Sequence, residues 1–169
     1  MRAVKRRFAG ALATAAAVSG AVLAVPAPAH AAWGATSTIS LQAVGTNAYG
    51  VATNVGSATG WVQFDDGGNT FRYSLTICRQ SGYVNPYLSI GVNASYWQGH
   101  WTDTHLDFVY MDSGTPASCS YGYGDTVTGT ETAAKPWNVN FTLVGGYFDG
   151  SSNRFSNVTD NEVIADPYH

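Results

Sequence analysis

Residues 61–78 read WVQFDDGGNTFRYSLTIC. In FRYSLTIC the apolar residues recur at every second position. Phe71, Tyr73, Leu75 and Ile77 fall on one side, and Arg72, Ser74, Thr76 and Cys78 on the other. A period of two marks an extended strand with one buried face, because successive side chains of a β-strand point to opposite sides of the sheet. The intervening DDGGNT, residues 65–70, gathers Asp, Gly and Asn, which accept left-handed backbone or bond back to it. WVQF and FRYSLTIC are therefore read as the two arms of a β-hairpin. DDGGN shares only its acids with a calcium loop. It lacks the alternating oxygen ligands and the closing glutamate, so a tight turn is the reading.

The same alternation extends outward. Upstream, Ile39, Leu41 and Ala43 alternate with polar neighbours and predict one strand. The rest of residues 32–60 is rich in Gly, Ala and Asn and weakly patterned, either an irregular strand or an arm ordered by a partner. Downstream, LSIGVNASYW puts Leu88, Ile90, Val92, Ala94 and Tyr96 on one face, and NVNFTLV does the same with Val139, Phe141 and Leu143. Pro136 belongs outside any central strand. Residues 145–169 read as a polar tail with room for one short strand. No amphipathic helix longer than two turns stands out. The pattern predicts an all-β domain over residues 61–169, a compact antiparallel β-sandwich of about six to eight strands, with a small β-barrel as the alternative.

The chain opens MRAVKRRFAGALATAAAVSGAVLAVPAPAHA. Arg2, Lys5, Arg6 and Arg7 precede a small apolar run, and Ala29-His30-Ala31 supplies an A-x-A cleavage signal. This predicts a secretory signal peptide over residues 1–31 and an extracellular mature chain from residue 32. No later segment is long and apolar enough to cross a bilayer. The mature chain would keep Arg72, Arg79, Lys135 and Arg154 against eleven acidic residues, a net charge of −7. Such a surface repels polyanions and has few groups to hold phosphate, which sets nucleic acid aside. Cys78 and Cys119, an even pair in an exported chain, predict a disulfide. It would close a loop of about 40 residues and stabilise the fold by roughly 3–4 kcal/mol.

The densest chemistry lies in NASYWQGHWTDTHLDFVY, residues 93–110. A hairpin with a two-residue QG turn would set Val92 against His105 and Ile90 against Asp107, so core and polar faces would collide. A three-residue loop, Gln98-Gly99-His100, sets Val92 against Leu106 and Ile90 against Phe108 and keeps one face apolar, so burial favours it. In that register Trp97 and Trp101 face each other on the polar side. Asp103, His105 and Asp107 then share one strand face about 6–7 Å apart. Two of them could meet one ion, but tetrahedral zinc needs ligands from elsewhere. A solvated polar row is the simpler reading, and no metal or cofactor is expected. No G-x-S-x-G is present, and nothing fixes the spacing of Asp103/Asp107 or Asp125/Glu131 at a glycosidase separation.

Aromatic density points to binding more than to catalysis. Trp97 and Trp101, together with Tyr121 and Tyr123 beside Cys119, are the candidate contact residues. The leader, the small exported β-domain and the segment WGATSTISLQAVGTNAYGVATNVG, residues 33–56, resemble the general layout of the small secreted adaptor subunit of actinobacterial umbrella toxin particles. That resemblance implies that a segment near the mature N-terminus docks into a lectin subunit; it carries over no functional residue. Trp33, Ile39, Leu41 and Tyr49 are the candidate contacts of such a docking arm. The expected function is a secreted, non-enzymatic protein-binding or assembly module with an extracellular protein partner. The alternatives are a carbohydrate-binding domain using exposed aromatics, a protease inhibitor presenting residues 115–119, and a small hydrolase with His105 in a pocket.

Overall fold

A computed structural model describes residues 32–46, 49–80, 84–120, 122–150 and 152–169. The expected signal peptide and Tyr121 lie outside the described residues. The described chain is all-β, two antiparallel sheets packed face to face. One sheet runs β1 (Ser37–Thr46), β2 (Ala52–Phe64), β3 (Thr70–Arg79), β7 (Tyr123–Thr132) and β6 (Thr115–Ser118). The other runs β5 (His100–Tyr110), β4 (Tyr87–Trp97), β8 (Asn138–Asp149) and β9 (Arg154–Ala165). The chain crosses between the sheets after β3, β5 and β7. The expected sandwich is the observed architecture.

The hairpin in residues 61–78 forms as its alternation dictates. Phe64 pairs with Phe71, Val62 with Tyr73 and Gly60 with Leu75. Asp65 closes the turn, its Oδ1 accepting the backbone N–H of Asn69 at 3.0 Å and of Thr70 at 2.6 Å. Those bonds explain why Asp65 is tolerated in a buried position.

Between the sheets, Phe71, Tyr73, Leu75 and Ile77 meet Leu88, Ile90, Val139, Phe141 and Leu143. Phe141 lies edge-on to Phe71 and to Tyr73, with ring centres 6.4 and 5.9 Å apart. Removing each such side chain from water stabilises the fold by about 1.5–3 kcal/mol. Cys78 and Cys119 form the expected disulfide. Cys78 is the last residue but one of β3, Cys119 follows β6, and β7 lies between those strands, so the bridge arches over β7 at Gly124. A Cβ at Gly124 would collide with Cys119 Sγ, so glycine is required there.

Two expectations change. The polar tail contains a full twelve-residue strand, β9, paired along its length with β8. Its apolar residues are too scattered to announce a strand, and the pairing with β8 supplies the order. The described part of residues 32–60 supplies β1 and most of β2 to the first sheet. Ile39 and Leu41 of β1, expected in a docking arm, are buried in the core. The acids of the tail take part in the same architecture. Glu162 accepts the backbone N–H of Ser40 at 2.8 Å, and Asp160 that of Gln42 at 2.7 Å.

Candidate functional site

The β4–β5 hairpin departs most from its expected geometry. Its turn is the two-residue Gln98-Gly99, both in left-handed backbone with φ of 50° and 84°. That is the turn whose twist matches paired strands. Trp97 therefore pairs with His100, and Tyr96 with Trp101. Directly opposed residues share a face and neighbours alternate, so Trp97 and Trp101 project to opposite sides of the ribbon. The expected Trp97/Trp101 pair does not form. In its place the Tyr96 and Trp101 rings lie 5.3 Å apart.

The collision of faces that disfavoured this turn is resolved in two ways. First, β5 is an edge strand of which only Val109 is buried, so its side chains need not match a core row. Second, the pairing shifts between Ile90 and Gly91 and again between Val92 and Ser95. Such bulges reset which side each residue faces. At the second shift Asn93 takes a φ of 58°. Its Oδ1 accepts the Trp137 N–H at 3.1 Å, while the Asn138 amide bonds both backbone groups of Ala94. These bonds fasten the base of the hairpin to β8.

The first shift separates the metal candidates. Ile90 faces the core and pairs with Asp107, whereas Gly91 faces outward and pairs with His105. Asp107 therefore lies on the inner side and His105 on the outer. Asp103 is also outside, its carboxylate folded over Gly91, where any Cβ would collide with it. Asp103 accepts a bond from the buried Asn140 Nδ2 at 2.7 Å, and Asn140 Oδ1 accepts from Asn161 at 3.3 Å. That chain ties β5 to β8 and β9 across the top of β4. His105 Nδ1 sits 3.2 Å from Ser89 Oγ, with its ring 4.1 Å from that of Phe108. Among the described residues no group of three or more His, Cys, Asp or Glu side chains is arranged to hold a metal ion.

The catalytic pairings fare no better. Asp103 and Asp107 lie on opposite faces. Asp125 and Glu131 are six residues apart on one strand, about 20 Å. Glu131 instead lies near Asp107 across the mouth between the sheets. Burial, and then the Asp107 charge, push the Glu131 carboxyl above its ordinary value. Tyr73 beneath them is pushed up to about 12 by burial, and then by the charges of Glu131 and Asp107. Asp125 is fully buried, with Oδ2 accepting from the Tyr123 hydroxyl at 3.3 Å and Oδ1 without a partner among the described residues. The Asp107–Glu131 approach was hidden from sequence because it crosses from one sheet to the other.

The binding candidates scatter. Trp97 is 71% exposed, Tyr96 61% and Trp101 44%, all at the hairpin tip. Trp137, 50% exposed, joins that end of the molecule through its bond to Asn93. Tyr123 is in the other sheet beside the disulfide. Of the expected arm, Tyr49 is exposed in the turn after β1, and Trp33 lies over the Arg72 guanidinium, 4.4 Å from Cζ to ring centre. Of residues 115–119, expected as an inhibitory loop, Thr115–Ser118 form β6 in the ladder with β7. Sequence reading missed Tyr96, which alternation assigned to the core row, and Trp137, which had no patterned neighbours.

No helix among the described residues is long and apolar enough to cross a membrane. Comparisons with protein-family models, curated proteins and solved structures find no match for this chain.

Proposed function

We propose that this is a secreted, non-enzymatic protein-binding module, an adaptor that docks an extracellular protein through the aromatic end of its β4–β5 hairpin. The supporting observation is the exposure of Tyr96, Trp97 and Trp101 together at the tip of a strand pair anchored to the core. Large aromatic side chains on a braced scaffold make efficient contacts, because they bury much area and lose little conformational freedom on binding. The separation of Asp103 and His105 from Asp107 favours binding over hydrolysis. The Cys78–Cys119 bridge is consistent with an extracellular location. In this reading the adaptor engages its partner with the hairpin, while the β1 segment serves the fold.

The test is capture from the producing organism's culture fluid on the immobilised protein. A stoichiometric partner is expected on the wild type. It should be lost with Tyr96→Ser, Trp97→Ser and Trp101→Ser combined, with the melting temperature little changed. Recovery of no stoichiometric partner, or equal recovery by the triple variant, overturns the proposal.

A further inference from the structure

A second candidate site lies on the other sheet, away from the hairpin. On the outer face of β2, β3 and β7, Trp61, Ser74 and Thr128 stand side by side in register. One level along, Gln63, Arg72 and Thr130 do the same. Trp61 and Thr128 are two strands apart, about 10 Å, with only the small Ser74 between them. The result is an open trough of about 350 Å³, floored by the backbone of Tyr73 and Gly129. That volume is at the lower end for small-ligand sites.

Arg72 is held in place at the end of this trough. Its Nε donates to Gln63 Oε1 at 2.9 Å, and Gln63 in turn donates to the Gly34 carbonyl at 3.1 Å. Its guanidinium lies 4.4 Å from the Trp33 ring centre and 5.9 Å from that of Trp61. Among the described residues no carboxylate pairs with it, and its two terminal nitrogens have no protein acceptor. The hydroxyls nearby divide in the same way. Thr76 and Thr126, just beyond the trough, satisfy each other at 2.8 Å, whereas the hydroxyls of Ser74, Thr128 and Thr130 have no partner among the described residues.

A fixed planar guanidinium with two unused donors recognises a carboxylate in bidentate fashion. An indole beside a row of hydroxyls offers a stacking surface and hydrogen bonds to a ring that carries several hydroxyls of its own. Its lining sets the Trp61 ring beside Arg72, Thr128 and Thr130, a mix of ring face and polar groups that suits a hydroxylated ring better than an apolar peptide side chain. We infer that it binds a saccharide bearing a carboxylate, a hexuronate residue whose acid group meets Arg72 and whose ring lies between Trp61 and Thr128/Thr130.

The test titrates the exported protein with a short galactose oligomer that carries a single galacturonate residue, so that the acidic surface meets one carboxylate and not a polyanion, while following tryptophan fluorescence. Three parallel titrations use the methyl-esterified oligomer, a neutral galactose oligomer and an N-acetylated dipeptide with a free carboxylate. Binding of the acidic oligomer alone is expected, weakening as salt rises. Arg72→Gln should lower its affinity by about tenfold or more, and Arg72→Lys by less. Thr128→Val with Thr130→Val should weaken it while leaving the sheet intact, which covers the case in which the Arg72→Gln protein does not fold. Equal binding of the neutral or esterified oligomer overturns the carboxylate assignment. Equal binding of the dipeptide overturns the saccharide, and no response at millimolar acidic oligomer overturns the site. Because the hairpin variants leave this trough untouched, its failure and that of the protein-docking proposal are read separately.

Discussion

The two long sides of the sandwich handle the same problem in opposite ways. On one side lie β1 and β9, the edge strands of different sheets, and on the other lie β6 and β5. An edge strand offers unpaired backbone groups to any passing strand and must be guarded. At the β1/β9 side the sheets close on each other. Carboxylates of Asp160 and Glu162 reach from β9 and accept two β1 backbone N–H groups. At the other side β6 is four residues long, includes Pro116 and is followed at once by the bridged Cys119. β5 is eleven residues long and exposed along almost its whole length. Only its two register shifts and its charged residues blunt it. One side is sealed by chemistry, whereas the other keeps a long exposed strand that ends in aromatic rings. The docking surface proposed above lies on the side left open.

The largest stability change expected comes from the open side. Cys78→Ala with Cys119→Ala removes the bridge over β7, worth roughly 3–4 kcal/mol. The melting temperature should fall on the order of 10 °C, with β6 the first strand to lose amide protection in hydrogen exchange. Protection lost first in β1 would mean that the seal, and not the bridge, limits the fold. The seal itself is next. Asp160→Ala with Glu162→Ala leaves two β1 N–H groups without acceptors. Bonds to charged groups contribute about 1.5–3 kcal/mol each. Solvent screens these exposed ones, so about 2 kcal/mol together is expected. The same variant should self-associate in sedimentation velocity, because β1 becomes a second open edge. A variant that loses stability yet stays monomeric would show that the carboxylates contribute energy without guarding the edge.

How much of this contrast the sequence reveals depends on where each strand sits. The central strands are legible: the rows of Phe71, Tyr73, Leu75 and Ile77, and of Val139, Phe141 and Leu143, are buried as alternation predicts. The peripheral strands are not. In β9, within the stretch that reads as a polar tail, Asp160 and Glu162 are bonded to β1, a contact with a strand more than a hundred residues away. In β5 the assumption that an apolar face must be buried selected the wrong register. At an edge that constraint is absent, so turn geometry prevails: Gln98 and Gly99 accept positive φ and set the pairing. The candidate site was legible as an aromatic-rich hairpin. Which aromatics meet could not be read, because it depended on a single residue of register.

A smaller effect is expected at Asp125, the buried acid of the open side. Its Oδ1 has no partner among the described residues, while Oδ2 takes the Tyr123 hydroxyl. An unpartnered buried acceptor costs about 1–3 kcal/mol. Asp125→Asn keeps the shape, can still accept from Tyr123 and removes the charge. A rise in melting temperature corresponding to about 1 kcal/mol is expected in thermal unfolding. A fall would show that the carboxylate has a counterpart in solution, a water or an ion that the amide does not hold.

The finest test concerns the mouth on the open side, where Asp107, Glu131 and Tyr73 converge from the two sheets. The Tyr73 hydroxyl loses its proton at about 12 in the fold, against an ordinary value of 10.0. Between those values the folded state keeps a proton that the unfolded chain has released, so stability falls as pH rises through that window and is unaffected below it. Glu131 obeys the same sign at acid pH. Its folded value lies above the ordinary 4.5, so stability is greatest below 4.5 and declines as pH rises through the raised value. Glu131→Gln removes one of the two charges that hold Tyr73 up. The high-pH step in phenolate absorbance, identified by its loss in Tyr73→Phe, should move down toward that of the other tyrosines. It should not reach them, since burial is the larger cause and persists. Stability at neutral pH should rise slightly in the same variant. An unmoved Tyr73 step would mean that the Glu131 carboxylate stands further from the Tyr73 hydroxyl in solution than the structure shows.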